Sequence, residues 1–177
     1  MAGGKLEIEF VLFISMLSAI KSRRSIRSYR AEMPSDGDIR KCIEAACCAP
    51  SAHNKQPWKF FIIKNKETKD KLSRVQIYTA FLKSAPLAIA VVSEDSKHWL
   101  EDCACATMLL MLQAAELGLG TCWGAVYGDE SREQHVREVL GIDKSKRVLC
   151  LLGIGYPDEK PGMKKVKSFE EAAEVVE

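Results

Sequence analysis

Two uninterrupted apolar runs constrain the fold of this chain more than any other feature of its sequence. Residues 87–93 and 148–153 show almost no alternation of apolar and polar side chains. A strand of that kind is buried on both faces, whereas a strand with one solvated face alternates. The chain is therefore expected to build a sheet that other elements cover on both sides.

Helices account for most of the remaining chain. A Ser that lies three residues before an acidic or amide side chain predicts a helix start, and this pattern occurs at Ser35, Ser131 and Ser168. The last two of these helices would end near residues 140 and 176, and Pro50 would end the first. An apolar period of 3.6 residues predicts a long central helix over residues 97–117. Shorter helices are predicted over residues 11–23 and 66–75, and the other two strands over residues 59–64 and 121–126.

The order of these elements indicates the fold class. Two helices precede the first predicted strand, so strands and helices do not alternate strictly. We predict an α+β fold with a central, mainly antiparallel or mixed sheet of about four to five strands and helices on both faces. The chain has 177 residues, of which 47% are apolar. This size suits one domain, which we predict to span residues 16–177.

Residues 1–15 form an N-terminal extension. The apolar stretch from residue 10 to residue 20 is too short for a membrane span, which needs about 20 residues. Glu7 and Glu9 precede that stretch and no small-residue cleavage site follows it, so a secretory signal is a poor fit. Two interpretations remain open: a helix that packs on a partner subunit, or a mis-set start with the true start at Met16.

Charge and cysteine content exclude several classes of function. The net charge is only +2, which gives no basis for nucleic-acid or membrane-surface binding. The seven cysteines include no C-x-x-C pair and lie apart from the three histidines. We therefore expect neither a zinc site nor a disulfide scaffold, and a location in the reducing cytoplasm.

A loop between two prolines is the first candidate for a binding site. Its sequence is Pro50-Ser51-Ala52-His53-Asn54-Lys55-Gln56-Pro57, and the predicted strand follows directly. Proline fixes φ and restricts the residue before it, so the loop should be rigid. Such a loop can hold amide side chains and backbone donors against a planar ligand with polar edges.

A basic cluster and a glycine cluster are the other candidates. Arg23, Arg24, Ser25 and Arg27 offer guanidinium forks and a hydroxyl that would suit a phosphate, although a solvated helix end is an equal alternative. The glycines at 118, 120 and 124 follow a helix and open a strand, the reverse of a dinucleotide fingerprint. They predict a helix end at Gly118 and a close approach of backbone to ligand. No nucleophile or paired-carboxylate pattern accompanies them, which suits chemistry carried by a cofactor.

These motifs together resemble the nitroreductase family of flavin-dependent oxidoreductases. The matching segments occur in the family's order and cover about residues 16 to 165. They are Arg23-Arg24-Ser25-Ile26-Arg27-Ser28-Tyr29, Ala49-Pro50-Ser51-Ala52-His53-Asn54-Lys55-Gln56-Pro57-Trp58, Ala85-Pro86, Gly118-Leu119-Gly120-Thr121-Cys122-Trp123 and Gly153-Ile154-Gly155-Tyr156-Pro157.

The resemblance implies FMN, bound non-covalently between the subunits of an intertwined homodimer. It assigns the FMN phosphate and ribityl chain to Arg23, Arg24, Ser25 and Arg27. It assigns the ring and ribityl, from the other subunit, to Pro50, Ser51, Ala52, Asn54 and Gln56. It assigns the polar edge of the ring to Thr121, Cys122, Trp123 and Gly124. Val166 stands where the family often has a late Arg, so Lys164, Lys165 or Lys167 would replace it, and which one does so is open.

The implied reaction passes a hydride from NADH or NADPH to flavin N5 and then reduces a small flat acceptor such as a nitroaromatic or a quinone. One alternative is a flavin-binding or flavin-sequestering protein without turnover. Another is a dehalogenase or flavin-cleaving enzyme, which would usually need a lid insertion. The stretch from residue 75 to residue 83 is short for a large lid.

Overall fold

The computed structural model describes residues 16–162 and 164–176, so the extension of residues 1–15 lies outside the described residues. The helices are α1 (Ser18–Ser22), α2 (Asp36–Cys47), α3 (Lys66–Leu72), α4 (Trp99–Glu116), α5 (Glu130–Leu140) and α6 (Phe169–Ala172). Two 3₁₀ segments cover Ala52–Asn54 and Ile77–Lys83. The strands are β1 (Trp58–Ile63), β2 (Leu87–Ser93), β3 (Gly120–Ala125) and β4 (Arg147–Gly155).

The four strands form one antiparallel sheet in the order β1-β2-β4-β3. Trp58 lies opposite Ser93, and Leu87 lies opposite Ile154. Every residue of β2 is buried, as are all residues of β4 except the first. The predicted α+β fold is therefore confirmed, including its central strands that are covered on both faces.

Alternate residues of β2 enter two different cores. Leu87, Ile89 and Val91 pack with α2 and α4 on one face of the sheet. Ala88, Ala90 and Val92 pack on the other face with α3, α5 and the second 3₁₀ segment. This division follows from the two-residue period of a strand, which points neighbouring side chains to opposite faces.

Helix α4 is the central helix that its apolar period predicted. Its buried residues include Cys103, Leu110 and Ala114, which face the first core. The helix ends before Gly118, whose φ of 73° is left-handed. A glycine takes up that conformation without a steric cost, so the predicted helix end at this position is confirmed.

Two of the three predicted helix starts are correct. Ser35 accepts a hydrogen bond from the backbone N–H of Asp38, and Ser168 and Glu171 cap each other. The predicted start at Ser131 is wrong, because the carboxylate of Asp129 accepts hydrogen bonds from the N–H groups of Ser131 and Arg132 at 3.0 and 3.3 Å. The N-cap of α5 is therefore Asp129, two residues before Ser131, and the helix begins at Glu130.

The last helix is much shorter than the predicted span of residues 168–176. Only Phe169–Ala172 is helical, and none of its residues is buried. An isolated short helix is marginal in water, and packing supplies most helical stability in proteins. Because none of the residues Phe169–Ala172 is buried, packing against the rest of the chain does not extend this helix.

All seven cysteines are free, and Cys103 is buried whereas Cys105 is exposed. Among the described residues, no group of His, Cys, Asp and Glu could hold a metal ion. Within the same part of the chain, no helix has both the length and the apolar character that a membrane crossing requires.

Candidate functional site

A surface groove of about 410 Å³ lies where three segments meet. These segments are the end of α1, the start of β3 and the residues that follow β4. Arg23, Arg24, Thr121, Glu159 and Lys160 are among its lining residues. The groove thus brings together part of the basic cluster and part of the glycine cluster.

Backbone pairing positions these segments. The N–H of Ile26 donates to the carbonyl of Thr121 at 2.9 Å, and Ser25 and Thr121 form a parallel bridge. A Cβ at Gly120 would lie 2.6 Å from the side chain of Ile26. Only glycine permits this approach, so the glycine turn lets the chain after α1 lie directly against β3.

The two neighbouring arginines have different surroundings. Arg24 donates from Nη1 to the carbonyls of Lys21 and Arg23 at 2.6 and 2.9 Å, and from Nε to the carbonyl of Gly162 at 3.4 Å. Arg24 therefore caps the C-terminal end of α1 through its side chain. Within the described residues, the side chain of Arg23 makes no hydrogen bond or ion pair, although it is half-buried in the groove wall. Arg23 is the guanidinium available to an anion.

Thr121 contributes an unpartnered hydroxyl. The residue is 1% exposed, and its Oγ1 has no hydrogen-bond partner among the described residues. A buried polar group left without a partner costs about 1–3 kcal/mol. A ligand that binds in the groove with polar oxygens would remove that cost. A guanidinium and a hydroxyl that line one groove are groups that can bind an anion such as a phosphate.

Glu159 also lines the groove. Its carboxylate accepts hydrogen bonds from the backbone N–H groups of Arg27 and Ser28. These two hydrogen bonds lower the pKa of Glu159 below its usual value, and the residue stays anionic. Arg27 is exposed, and its guanidinium donates one hydrogen bond among the described residues, to the carbonyl of Ser25 at 3.4 Å. Sequence reasoning missed Glu159, although the acidic residues directly after the Gly-Tyr-Pro motif were a usable signal.

The rest of the glycine motif faces the interior. Burial raises the pKa of the Cys122 thiol, which packs in the second core. Trp123 is half-buried against the first core. A Cβ at Gly124 would lie 2.7 Å from the side chain of Thr79. Of the four predicted residues, Thr121 is the one that lines the groove.

The loop of residues 50–57, which we call the proline loop, lies outside this groove. His53, Asn54 and Gln56 have φ values of 53°, 55° and 47°. Left-handed backbone costs a non-glycine residue on the order of 1–3 kcal/mol, and such strain concentrates at functional sites. Asn and His tolerate this conformation better than Gln does.

Hydrogen bonds within the proline loop hold this conformation. The N–H groups of Asn54 and Gln56 both donate to Ser51, to its carbonyl and its Oγ respectively, at 2.9 Å. The amide of Gln56 donates to the amide oxygen of Asn54 at 3.0 Å. Both amide side chains are exposed, so the loop presents its polar groups outward from its own protomer.

One residue outside the loop joins this arrangement. Asp102 in α4 accepts a hydrogen bond from the N–H of Ala52 at 3.0 Å. Sequence reasoning found no role for Asp102. The available signal was a carboxylate within a helix whose neighbouring turns are largely apolar.

The predicted lysines do not line the groove, although the segment that carries them begins at its rim, where Gly162 accepts a hydrogen bond from Arg24. Lys164 and Lys165 are exposed, as are all described residues from 158 to 176. One protomer thus presents the groove and the proline loop separately.

Comparison with known proteins identifies the family. The model of the nitroreductase family matches two segments of the chain, residues 20–79 and 73–156. The chain belongs to the nitroreductase family. A protein of Methanothermobacter thermautotrophicus, provisionally named an NADH dehydrogenase/NAD(P)H nitroreductase, is 37% identical over 154 residues, which cover 84% of this chain and 81% of that protein.

Solved structures agree with this assignment. An FMN-dependent nitroreductase from Clostridium difficile has a TM-score of 0.83 and 32% identity, over 89% of this chain and 98% of that chain. A provisionally named NADH dehydrogenase/NAD(P)H nitroreductase from Parabacteroides distasonis has a TM-score of 0.84 and 30% identity, over 88% of this chain and 95% of that chain. The protein is thus an oxidoreductase of the nitroreductase type.

Proposed function

We propose that this protein is an FMN-dependent oxidoreductase that uses NADH or NADPH to reduce a small flat acceptor such as a nitroaromatic or a quinone. The observation that carries the proposal is the groove lined by both Arg23 and Thr121, whose guanidinium and hydroxyl have no hydrogen-bond partner among residues 16–162 and 164–176. Names of similar proteins support it, since they include an FMN-dependent nitroreductase and NAD(P)H nitroreductases.

The residues of this chain would bind and orient the cofactor. Arg23 would hold the phosphate through a charge-assisted hydrogen bond. Thr121 would hydrogen-bond to the ribityl chain or the phosphate, and the exposed guanidinium of Arg27 would add positive charge near the phosphate. When bound, FMN would accept a hydride at N5 from the nicotinamide and deliver the electrons to the acceptor.

We further propose that the site is completed by a second copy of the chain in a homodimer. The proline loop and the arginine groove are separate in one protomer, and both expose polar groups. The segment after β4 carries apolar side chains that its own protomer leaves uncovered, with Val166 76% and Phe169 66% exposed. Wrapping of this segment around a partner would cover them and carry Lys164 and Lys165 toward the partner's groove.

An open acceptor site is consistent with the second 3₁₀ segment. Residues Ile77–Lys83 form a single short element whose Phe81 and Leu82 are buried in the second core. An element of this length does not make a large lid. We therefore expect the enzyme to accept several flat substrates.

Anaerobic reduction separates the proposed activity from flavin binding without turnover. The purified protein should be yellow, and NADH or NADPH should bleach its flavin absorbance in the absence of oxygen. An added quinone or nitroaromatic should then restore the absorbance. A yellow protein that neither nicotinamide bleaches would indicate flavin sequestration, and a protein that does not bind FMN would contradict both functions.

A further inference from the structure

Asp102 connects the central helix to the proline loop. It lies in the first turns of α4, is 6% exposed, and accepts the N–H of Ala52 at 3.0 Å. Among the described residues it forms no ion pair, so no cation competes for its carboxylate.

The proline loop depends on this connection. Among the described residues, one other hydrogen bond ties this loop to the rest of the chain, from the N–H of Glu94 to the carbonyl of Pro57 at its far end, at 3.4 Å. The remaining hydrogen bonds of residues 50–56 are internal to the loop. Three of its residues have positive φ, which the chain would leave if it were free to relax. Two groups of that loop, the amides of Asn54 and Gln56, are the ones proposed to border the flavin.

We propose that Asp102 is a positioning residue that holds the proline loop in the geometry that borders FMN, and that it thereby sets FMN affinity and the flavin midpoint potential. This inference rests on the proposed function. Loss of the anchor would let the loop relax, so the amides would shift relative to the ring that they border. The relaxed loop would then stabilise the oxidised and the reduced flavin to a different relative extent than the wild-type loop does. That difference would shift the midpoint potential.

The test compares variants of the full-length protein reconstituted with FMN. Asp102→Leu keeps the size of the side chain but removes the acceptor, and we expect FMN binding about tenfold weaker or more, with a shifted midpoint potential and an altered visible circular dichroism of the flavin. Asp102→Asn keeps an acceptor oxygen and should restore most of the affinity. Glu101→Leu is the matched control, because Glu101 lies in the same turn and its exposed carboxylate pairs, within the described part of the chain, with His98 at 2.7 Å and not with the loop.

A second variant removes the same hydrogen bond by eliminating its donor in the loop. Ala52→Pro removes the donor N–H, and Ser51 already has the extended backbone that precedes proline, with φ −144° and ψ 154°. We expect the same direction of change in affinity and potential. The double variant should lose little beyond either single variant, because both remove one interaction. If Asp102→Leu does not fold, Asp102→Asn and Ala52→Pro decide the question.

The outcomes are distinct. If wild-type protein binds FMN but Asp102→Leu and Ala52→Pro match Glu101→Leu in affinity and potential, the inference is wrong and the proposed function stands. A variant with a lower melting temperature but unchanged flavin properties also overturns it, because Asp102 would then be only structural. If wild-type protein binds no FMN, the proposed function fails and the inference fails with it.

Discussion

At the scale of single residues, two adjacent arginines have different tasks. Arg24 is engaged by three backbone carbonyls, whereas Arg23 faces the groove without a partner among the described residues. The sequence shows two identical side chains. Their difference arises because the chain places the carbonyls of Lys21 and Gly162 around Arg24, and only the second of these is distant in sequence.

This difference predicts that substitution of Arg23 lowers FMN affinity, whereas substitution of Arg24 lowers the stability of the apoprotein. Arg23→Ala should weaken FMN binding about tenfold or more, since a hydrogen bond to a charged group contributes about 1.5–3 kcal/mol, and should leave the melting temperature of the apoprotein nearly unchanged. Arg24→Ala should mainly lower that melting temperature. Fluorescence titration of the apoprotein with FMN and thermal unfolding measure the two effects. Equal loss of FMN affinity in both variants would contradict the assignment of Arg23 as the phosphate ligand.

At the scale of elements, a buried ion-pair network joins α5 to β4. Glu133 is 1% exposed and accepts hydrogen bonds from Arg147 at 2.8 and 3.1 Å and from the N–H of Val148 at 2.9 Å. Arg147 also lies 4.9 Å from the ring centre of Trp99, at the start of α4. The network therefore fixes two helices relative to the first residues of the central strand β4.

The charge of Glu133 should contribute to stability above acidic pH. Burial alone would raise the pKa of Glu133, but the hydrogen bonds from Arg147 and Val148 and the nearby guanidinium groups lower it below 4.5. A carboxyl whose folded pKa is lowered stabilises the protein above its unfolded pKa, and this contribution is lost as the pH falls through the folded pKa.

Glu133→Gln should therefore destabilise the protein by about 3 kcal/mol at neutral pH, because removal of one partner leaves buried charges uncompensated. The difference from wild type should shrink as the pH falls below 4.5. Glu130→Gln is the control, since Glu130 pairs with Arg137 but is 74% exposed and should change the stability by less than about 1 kcal/mol. Urea unfolding at several pH values measures both. A Glu133→Gln penalty that does not depend on pH would contradict the role of the charge.

At the scale of the whole molecule, local sequence patterns predicted the individual helices and strands better than they predicted how distant strands pair. The fully apolar run of β2 gave its strand bounds, because burial on both faces leaves a signal in the run itself. The strand order β1-β2-β4-β3 depends on contacts such as Leu87 with Ile154, which no local pattern contains. Asp102 was missed for the same reason, since its partner Ala52 is 50 residues away.

The candidate site shows the same limit. Arg23, Thr121 and the proline loop were found as motifs, but their separation within one protomer was not visible in the sequence. That separation is the reason for proposing that two protomers share each flavin site. In an intertwined dimer, the groove of one copy and the proline loop of the other would enclose one FMN.

Complementation between two defective chains tests this claim most directly. One chain carries Arg23→Ala, and the other carries Asn54→Gly with Gln56→Gly, which removes both amides while allowing positive φ. Each homodimer should retain little FMN and little NAD(P)H-dependent reductase activity. After unfolding and refolding together in equal amounts, random pairing should restore about a quarter of the wild-type sites, because half of the dimers are mixed and each has one intact site. Recovery of neither FMN nor activity, with mixed dimers shown to form, would contradict a site shared between protomers.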